Sequence, residues 1–578
     1  MAETEAPTNP SLEDLQHWTW VLGRAQQMML EHGFDLVENR AAKQAFGAML
    51  DPTAAVRAGA GFWADTLQLW QRFLDPAHAA PFEETPEQAK DRRFKAPQWR
   101  EEPVFDFLRQ SYFVVADHLL KGVDALEGVD PRQKEQIRFA TRGFIDAISP
   151  TNFPATNPQV LEKIVETKGE SLLKGLHNML GDLAKGQMTQ TDPNAYEVGR
   201  NMATTPGKVV KRTSLYELIQ YSPATDEVIE TPLVIFPPWI NRFYILDLNP
   251  EKSFVRWAVE QGLTVFVVSW KSADATMKDV VWDDYVERGQ IDAIDTVREL
   301  LDVPSVHAIG YCVAGTTLAA TLAVLAARGQ ADRVKSATFF TAQVDFTEAG
   351  DLSMFVDDDQ LALIRTLGAE GFLDGRYMAA TFNLLRGRDL IWNYVTNNYL
   401  MGQDYAPFDL LHWNSDVTNL PARWHLSYLT DLYRDNKLAV ANALSIAGTP
   451  IDLGRVTTPA YVQAGREDHI APAQSVWKIT HHFKGPLRFV LAGSGHIAGV
   501  VNPPAAGKYQ YWVNEEKVDT LAEFLAGARE TKGSWWPDWI GWITGLDSTK
   551  VPAKGARVPG EGKLEALGDA PGSYVRVR

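Results

Sequence analysis

The sequence has very little cysteine and no long apolar segment. Cys312 is the only cysteine in 578 residues, so no internal disulfide can form and a reducing compartment is expected. No run of about 18 or more apolar residues occurs, which predicts that the chain has no transmembrane helix. The opening residues, MAETEAPTNPSLEDL, are acidic and lack the basic and apolar regions of a signal peptide. Together these absences predict a cytoplasmic protein.

Positive charge is scarce too. Asp and Glu total 73 against 56 Lys and Arg, which gives a formal net charge of -17 at pH 7, and no dense basic run is present. A nucleic-acid partner is therefore not expected. The histidines show no metal-site spacing, since His481 and His482 are adjacent and would diverge on a helix or a strand. We predict neither a metal nor another cofactor.

The first part of the chain has a helical pattern. Hydrophobic residues make up 45% of the chain, which is ample for a large core, and up to about residue 200 they recur at spacings of three and four. Two such runs are Leu12, Leu15, Trp18, Leu22, Ala25 and Met29, and then Phe105, Leu108, Tyr112, Val115 and Leu119. We therefore predict a mainly helical N-terminal domain over residues 1–200, which the Pro- and Asn-rich stretch SPTNFPATNP interrupts.

Strand-like runs begin to alternate with helical stretches after about Met202. The runs are TPLVIF, LTVFVVSW, SVHAIG, SATFFTA, PAYVQAG and LRFVLAG. This alternation predicts an α/β domain over residues 201–578, built on a largely parallel sheet that is covered on both faces. Between the fourth and fifth runs, about residues 345–453 form an insertion that is too long for a plain connection. We interpret this insertion as a cap over the strand ends.

Cys312 lies between glycines, directly after SVHAIG and directly before the helical TTLAATLAVLAA. A nucleophile elbow has this arrangement, because its nucleophile lies on a sharp strand-to-helix turn between small residues. The following helix N-terminus would favour a thiolate at Cys312, and the backbone N–H of Val313 would point at a developing oxyanion. Packing is the alternative interpretation of Cys312, since free cysteine is often buried in cores.

An acid and a histidine follow this elbow in the order that α/β-hydrolases use. Asp468 comes just after PAYVQAG, and His496 comes just after LRFVLAG. The loops after parallel strands meet at one edge of the sheet, so these residues are expected to come together there. Singly, Asp468 could be a turn residue and His496 an ordinary loop histidine. Jointly, the three residues predict a Cys-His-Asp triad on an α/β-hydrolase fold.

Two further stretches have an expected role. FPPWINRFYILDLNP follows TPLVIF, where α/β-hydrolases keep the other half of the oxyanion hole. The backbone near Trp239 and Ile240 is our candidate, with Ile240 as the donor that acts beside Val313. A rigid proline turn carrying core aromatics fits the same stretch. The segment SWWPDWIGWITG carries four tryptophans, which we interpret as buried against the main domain.

With these motifs identified, the sequence resembles the polyhydroxyalkanoate synthases, which polymerise (R)-3-hydroxyacyl-CoA into storage polyester. The likeness covers most of the chain and rests on SPTNFPATNP, PPWINRFYILDL, GYCVAGT, FDLLHWNSDVTNLP, GREDHIAP, SGHIAGVVNPP and GSWWPDW; the length suggests the class I type. It implies Cys312 as nucleophile, Asp468 as acid and His496 as base, beneath a mobile lid formed by the cap. One departure is Ala314, where many members have glycine, but alanine is small enough for an elbow.

The resemblance implies an acyltransferase that releases CoA and carries its polyester on Cys312 as an acyl intermediate. It also implies a homodimer at the surface of polymer granules, with the N-terminal domain serving association and contact with the granule or with granule-associated proteins. The alternative enzyme is a thiol hydrolase of the same fold, such as a polyester depolymerase or dienelactone hydrolase, although a small hydrolase has no need of a long helical N-terminal half. A third hypothesis is a non-catalytic granule coat protein that uses amphipathic helices and the Trp-rich segment.

Overall fold

The computed structural model describes residues 65–74 and 82–577, which divide into two compact units. One unit contains the described residues up to Gln190 together with Ala380–Ala406, and the other contains Thr191–Ala379 and the residues from Pro407 onwards. The predicted helical run between Leu12 and Met29 lies outside the described residues. Within residues 65–74 and 82–577, no helix combines the length and the apolar character needed to cross a bilayer.

The first unit is helical, as predicted. Several of its helices begin with proline behind a capping residue such as Asp130, whose carboxylate accepts from the N–H groups of Arg132 and Gln133 and so satisfies donors at the helix start. Residues 65–74 are helical as well. The other helices are α1 (Pro86–Ala89), α2 (Gln98–Glu101), α3 (Pro103–Asp124), α4 (Pro131–Ala147), α5 (Pro158–Glu166) and α6 (Glu170–Lys185).

Aromatic side chains form the core of this unit. Phe94, Trp99, Tyr112 and Phe113 are buried together with Ile145. Phe94 and Trp99 meet edge to face, with ring centroids 4.9 Å apart, a geometry that the aromatic quadrupole favours. The predicted apolar stripe of α3 therefore supplies part of a packed core.

The stretch Ala380–Ala406 belongs to the helical unit although it is far along the chain. The hydroxyl of Tyr399 donates to the carboxylate of Asp182 on α6 at 2.7 Å. Gly175 on the same helix allows close backbone approach, because a Cβ there would lie 1.7 Å from the carbonyl oxygen of Tyr399. Part of the predicted cap thus packs with the helical unit.

A mixed sheet of eleven strands forms the centre of the second unit, and its order is β15-β14-β13-β12-β7-β6-β4-β5-β2-β1-β17. The remaining strands form three two-stranded pairs, β3 with β16, β8 with β9, and β10 with β11. The strands are β1 (Gly207–Arg212), β2 (Tyr216–Tyr221), β3 (Glu227–Ile229), β4 (Leu233–Phe236), β5 (Val265–Trp270), β6 (Val306–Tyr311), β7 (Val334–Phe340), β8 (Phe372–Leu373), β9 (Leu420–Pro421), β10 (Ser445–Ile446), β11 (Thr449–Pro450), β12 (Ala460–Gly465), β13 (Leu487–Ala492), β14 (Gln510–Val513), β15 (Arg529–Lys532), β16 (Lys550–Pro552) and β17 (Gly568–Asp569).

The six predicted strands are confirmed as the parallel centre of this sheet, β4 to β7, β12 and β13. Sequence reasoning missed the antiparallel strands at both sides, β1, β2, β14, β15 and β17. The reason is that these strands depend on pairing with a neighbour more than on their own pattern; β15, for example, reads RETK and has no apolar residue.

The central sheet is buried on both faces, as the apolar runs predicted. Along β4, Leu233 and Ile235 enter one core while Val234 and Phe236 enter the other. Helices cover both faces of the sheet. The helices after α6 are α7 (Phe254–Glu260), α8 (Trp282–Asp284), α9 (Asp292–Leu301), α10 (Val313–Ala327), α11 (Asp358–Leu367), α12 (Gly375–Leu385), α13 (Asp409–Ser415), α14 (Ala422–Tyr428), α15 (Ala473–Trp477), α16 (Ile479–His482), α17 (Leu521–Gly527) and α18 (Trp536–Leu546), of which α12 extends into the first unit.

The Trp-rich segment packs against the core as interpreted from the sequence, with three of its tryptophans buried and Trp542 half-buried. The side chains of Trp535, Trp536 and Trp539 are fully buried. The indole N–H groups of Trp535 and Trp536 donate to the carbonyls of Gly499 and Val500 at 2.8 and 2.9 Å. Trp535 and Trp536 hold the loop at Gly499 and Val500 in place, and the three buried tryptophans are not available as a surface coat.

Candidate active site

Cys312 lies on the turn between β6 and α10. Its backbone, at φ 53 and ψ -124 degrees, is in a region that residues with a side chain rarely adopt and that a nucleophile elbow requires. The turn is closed tightly, since a Cβ on Gly310 would lie 2.5 Å from the Cα of Gly315. Ala314 is accommodated in the helix, where its carbonyl accepts from Gln290 at 2.9 Å. The departure from the usual glycine therefore leaves the elbow intact.

Replacing Gly315 by alanine is expected to destabilise the protein by about 1–3 kcal/mol, the usual cost of overpacking. The new Cβ would lie 2.4 Å from Cβ of Ala342 and 2.7 Å from the Gly310 carbonyl oxygen, so backbone must shift beside the nucleophile. Thermal unfolding measures the loss. Gly541→Ala on α18 is the matched control because its Cβ meets no atom within 4 Å. Equal stability of Gly315→Ala and wild type would contradict this account of the elbow.

Asp468 follows β12 and His496 follows β13, and the parallel pairing of these strands brings both loops to one edge. Nδ1 of His496 lies 2.7 Å from Oδ2 of Asp468. The other oxygen of Asp468 accepts from the N–H groups of Ile470 and Ala471, both at 2.9 Å. With Nδ1 turned toward Asp468, Nε2 is the ring nitrogen left for Cys312, whose charge interacts with that of His496. The structure thus brings the three predicted residues together.

The electrostatics of the site favour a charged histidine. Burial alone would lower the pKa of His496, but its interactions with Asp468 and Cys312, including the hydrogen bond to Asp468, hold the pKa of His496 well above its ordinary value of 6.5. This charge arrangement suits a thiol that attacks as a thiolate, with a histidine that stores its proton.

Two tyrosines near the thiol were missed by sequence reasoning, the buried Tyr311 and the half-buried Tyr433. The hydroxyl of Tyr311 donates to the backbone carbonyl of His496 at 2.9 Å and so fixes the histidine loop. The hydroxyl of Tyr433 accepts a hydrogen bond from the Gln343 side chain at 3.2 Å. Its pKa is raised by burial and by its electrostatic interaction with Cys312. Tyr311 could have been noticed because it precedes Cys312 directly, whereas nothing in the sequence links Tyr433 to the elbow.

The backbone N–H groups of both predicted oxyanion donors lack a hydrogen-bond acceptor among the described residues. Val313 is the first residue of α10, where helix geometry leaves the N–H without an internal acceptor. Throughout the part of the chain that the structure describes, no group accepts a hydrogen bond from the N–H of Val313 or of Ile240. Both amides are free to bind an oxyanion, and their role as donors stays a prediction.

Protein-family models match two parts of the chain. Residues 90–258 match the model described as the N-terminus of poly-beta-hydroxybutyrate polymerase (PhaC). Residues 231–503 match the model of the alpha/beta hydrolase fold, and this range contains Cys312, Asp468 and His496. The second match agrees with the sheet and the elbow, so the predicted α/β-hydrolase fold is confirmed.

Curated proteins are similar to the chain over most of their length. Poly(3-hydroxyalkanoate) polymerase subunit PhaC of Rhizobium meliloti is 46% identical over 534 residues, which cover 91% of this chain and 86% of that protein. The protein of the same name from Cupriavidus necator is 44% identical over 494 residues, covering 84% and 83%. Poly(3-hydroxyalkanoate) polymerase 2 of Ectopseudomonas oleovorans is 36% identical over 493 residues, covering 85% and 87%.

Two solved structures are similar to about half of the chain. A hydrolase from Pseudomonas aeruginosa matches 51% of this chain and 92% of its own at 15% identity, with a TM-score of 0.30. An esterase from Exiguobacterium antarcticum matches 51% and 93% at 13% identity, with a TM-score of 0.28.

Proposed function

Since the chain belongs to the poly(3-hydroxyalkanoate) polymerase family, we propose that it polymerises (R)-3-hydroxyacyl-CoA through a thioester on Cys312. The observation that carries this proposal is the contact series from Asp468 to His496 to Cys312, with Asp468 Oδ2 2.7 Å from His496 Nδ1. In this assignment His496 is the general base, and Asp468 orients and stabilises its imidazolium.

In the loading step, the sulfur of Cys312 attacks the thioester carbonyl of the substrate and His496 holds the thiol proton. A C–S bond forms, and the carbonyl oxygen becomes an oxyanion that the N–H groups of Val313 and Ile240 stabilise. The carbonyl then reforms as the bond to the CoA sulfur breaks, and the CoA thiolate takes the proton from His496. One thioester replaces another, so the exchange has little thermodynamic cost.

In the elongation step, the 3-hydroxyl of the next hydroxyacyl-CoA attacks the acyl-Cys312 carbonyl and gives its proton to His496. An ester bond forms, the bond to the Cys312 sulfur breaks, and that sulfur takes the proton back. The extended chain is then a CoA thioester, and its reloading onto Cys312 releases CoA. A serine would hold the chain as an ordinary ester, which is less reactive toward an alcohol, so cysteine suits a polymerase.

Supplying the enzyme with 3-hydroxybutyryl-CoA tests this function against hydrolysis. The proposal expects CoA release together with an ester polymer. CoA release together with free hydroxy acid would favour the thiol hydrolase instead, because water would then be the acceptor. Substrate-dependent labelling of Cys312, detected by mass spectrometry of the intact protein, would exclude the non-catalytic coat protein. No CoA release from any hydroxyacyl-CoA would contradict the function itself.

The polymer product sets the proposed location and the roles of the domains. A long polyester is insoluble, and an enzyme that holds it covalently on Cys312 remains at the polymer surface. We therefore place the protein on granules in the cytoplasm.

The cap, about residues 345–453, is assigned to excluding water, which would hydrolyse the acyl-Cys. The helical N-terminal domain, residues 1–200, is assigned to association and to contact with granules or granule proteins.

A homodimer with independent sites is the proposed assembly. Two thiols could hold chain and monomer together only if two subunits shared one site, because each chain has one cysteine. A nucleophile elbow beneath a cap is poorly placed to face its symmetry mate. A mixed dimer of wild-type and Cys312→Ala subunits, purified by two tags, should therefore keep about half of the wild-type dimer's activity. Activity near zero would establish a shared two-thiol site.

A further inference from the structure

The candidate oxyanion loop, residues 236–250, has backbone carbonyls that accept hydrogen bonds from a segment far along the chain. We call this segment, residues 413–418, the clamp segment. It lies within the motif FDLLHWNSDVTNLP. The hydroxyl of Thr418 donates to the carbonyl oxygen of Trp239 and, at 2.9 Å, to that of Ile240. Thr418 is only 3% exposed, so water does not compete readily for these carbonyls.

A buried ion pair fastens the clamp segment to the same loop. Nε of Arg242 lies 3.3 Å from Oδ1 of Asp416, and their side chains are 2% and 5% exposed. The hydroxyl of Tyr244 donates to the other oxygen of Asp416 at 2.8 Å. The indole N–H of Trp413 donates to the backbone carbonyl of Arg242 at 2.7 Å. Buried charges need such complete partners, so the clamp and the loop are held in one arrangement.

Peptide geometry links this clamp to the oxyanion donor. The carbonyl of Trp239 and the N–H of Ile240 belong to one planar trans peptide, so they point in opposite directions. When Thr418 holds the carbonyl, it also fixes the direction of that N–H. Among residues 65–74 and 82–577, nothing accepts a hydrogen bond from the Ile240 N–H. The clamp therefore orients a free donor.

We propose that Thr418 is a positioning residue whose hydroxyl orients the Trp239–Ile240 peptide toward the oxyanion formed during thioester attack. The inference rests on the proposed function and adds a residue to it. Such a donor acts most strongly on the charge that develops in the transition state. Losing the hydroxyl should therefore slow the chemical step and leave substrate binding almost unchanged.

Thr418→Val is the test because valine has the shape of threonine without its hydroxyl. The expected result with 3-hydroxybutyryl-CoA is a kcat for CoA release lowered about 10- to 100-fold, with KM within about threefold of wild type. Thr418→Ser restores the hydroxyl and should return kcat to within about threefold of wild type. Thr418→Ala provides a smaller variant that cannot overpack the site, so the comparison does not depend on one substitution folding well.

Two controls separate oxyanion positioning from general damage. Alkylation of Cys312 by iodoacetamide involves no oxyanion, so its rate should stay within about twofold in Thr418→Val. Thr480→Val on α16 is the matched substitution, because Thr480 is half-buried and its hydroxyl donates to the backbone carbonyl of Trp477 at 2.7 Å, away from the elbow. This control should keep kcat within about threefold, and thermal unfolding of each variant reports its stability.

The outcomes that overturn the inference are distinct from a failure of the proposed function. An unchanged kcat in both Thr418→Val and Thr418→Ala would overturn it. So would alkylation that slows in parallel with turnover, or an equal loss of kcat in Thr480→Val. If wild type itself released no CoA, the proposed function would fail and the inference would fall with it. If wild type turned over and both Thr418→Val and Thr418→Ala kept its kcat, the inference would be overturned and the proposed function would stand.

Discussion

Replacing His496 by alanine is expected to abolish both acylation of Cys312 and chain elongation, with rates falling about 10³-fold or more. The imidazole is hydrogen-bonded to Asp468 at 2.7 Å and interacts electrostatically with Cys312, and it is the only proton acceptor that both steps share in the proposed mechanism. Single-turnover release of CoA measures acylation, and polymer yield measures elongation.

His481→Ala is the matched control for this variant. His481 is exposed on α16, and its Nε2 lies 2.8 Å from the backbone carbonyl of Asp519, outside the catalytic loops. This substitution should leave both rates within about twofold of wild type. Near wild-type CoA release by His496→Ala would remove His496 from the mechanism, and the thiol would then need another proton acceptor.

Replacing Asp468 by asparagine is expected to slow elongation more than loading, by about 10³-fold against about 10-fold. The alcohol of the incoming monomer is far less acidic than a thiol, so elongation depends more on a histidine that Asp468 makes basic. Single-turnover assays separate the two steps. Asp452→Asn is the matched control, because Asp452 accepts from the N–H of Gly454 at 2.8 Å and does not contact His496. Equal and complete loss of both steps in Asp468→Asn would contradict this division.

Asp468→Asn should also change how the stability of the protein depends on pH, and the direction of the change follows from the raised pKa of His496. The folded-state pKa of His496 is held well above 6.5, with Asp468 among the causes, so the imidazolium stabilises the folded state. That contribution is fully present below the ordinary pKa and is lost as pH rises through the raised value. The stability gap between wild type and Asp468→Asn should therefore shrink as the pH rises above the ordinary histidine pKa of 6.5. A gap that widens over this range, measured by thermal unfolding, would contradict the assignment.

The parallel centre of the sheet and the order of the three reactive residues could be predicted from the sequence. Buried parallel strands carry their own apolar runs, and Cys312, Asp468 and His496 each lie within four residues of the end of such a strand. Local pattern alone therefore specified which strand end carries each residue. The antiparallel strand β15 was missed because its partner β14, and not its composition, makes it a strand.

The sequence by itself determined the elbow, the chain order of nucleophile, acid and base, and the family resemblance, because these features are local and lie within short motifs. Only the tertiary structure decided which distant groups complete the site. Thr418 reaches the carbonyls of Trp239 and Ile240, and Tyr311 reaches the carbonyl of His496, through hydrogen bonds between segments far apart in the chain. Such contacts depend on how loops and strands pack after folding, so they cannot be predicted from hydrophobic periodicity along the sequence.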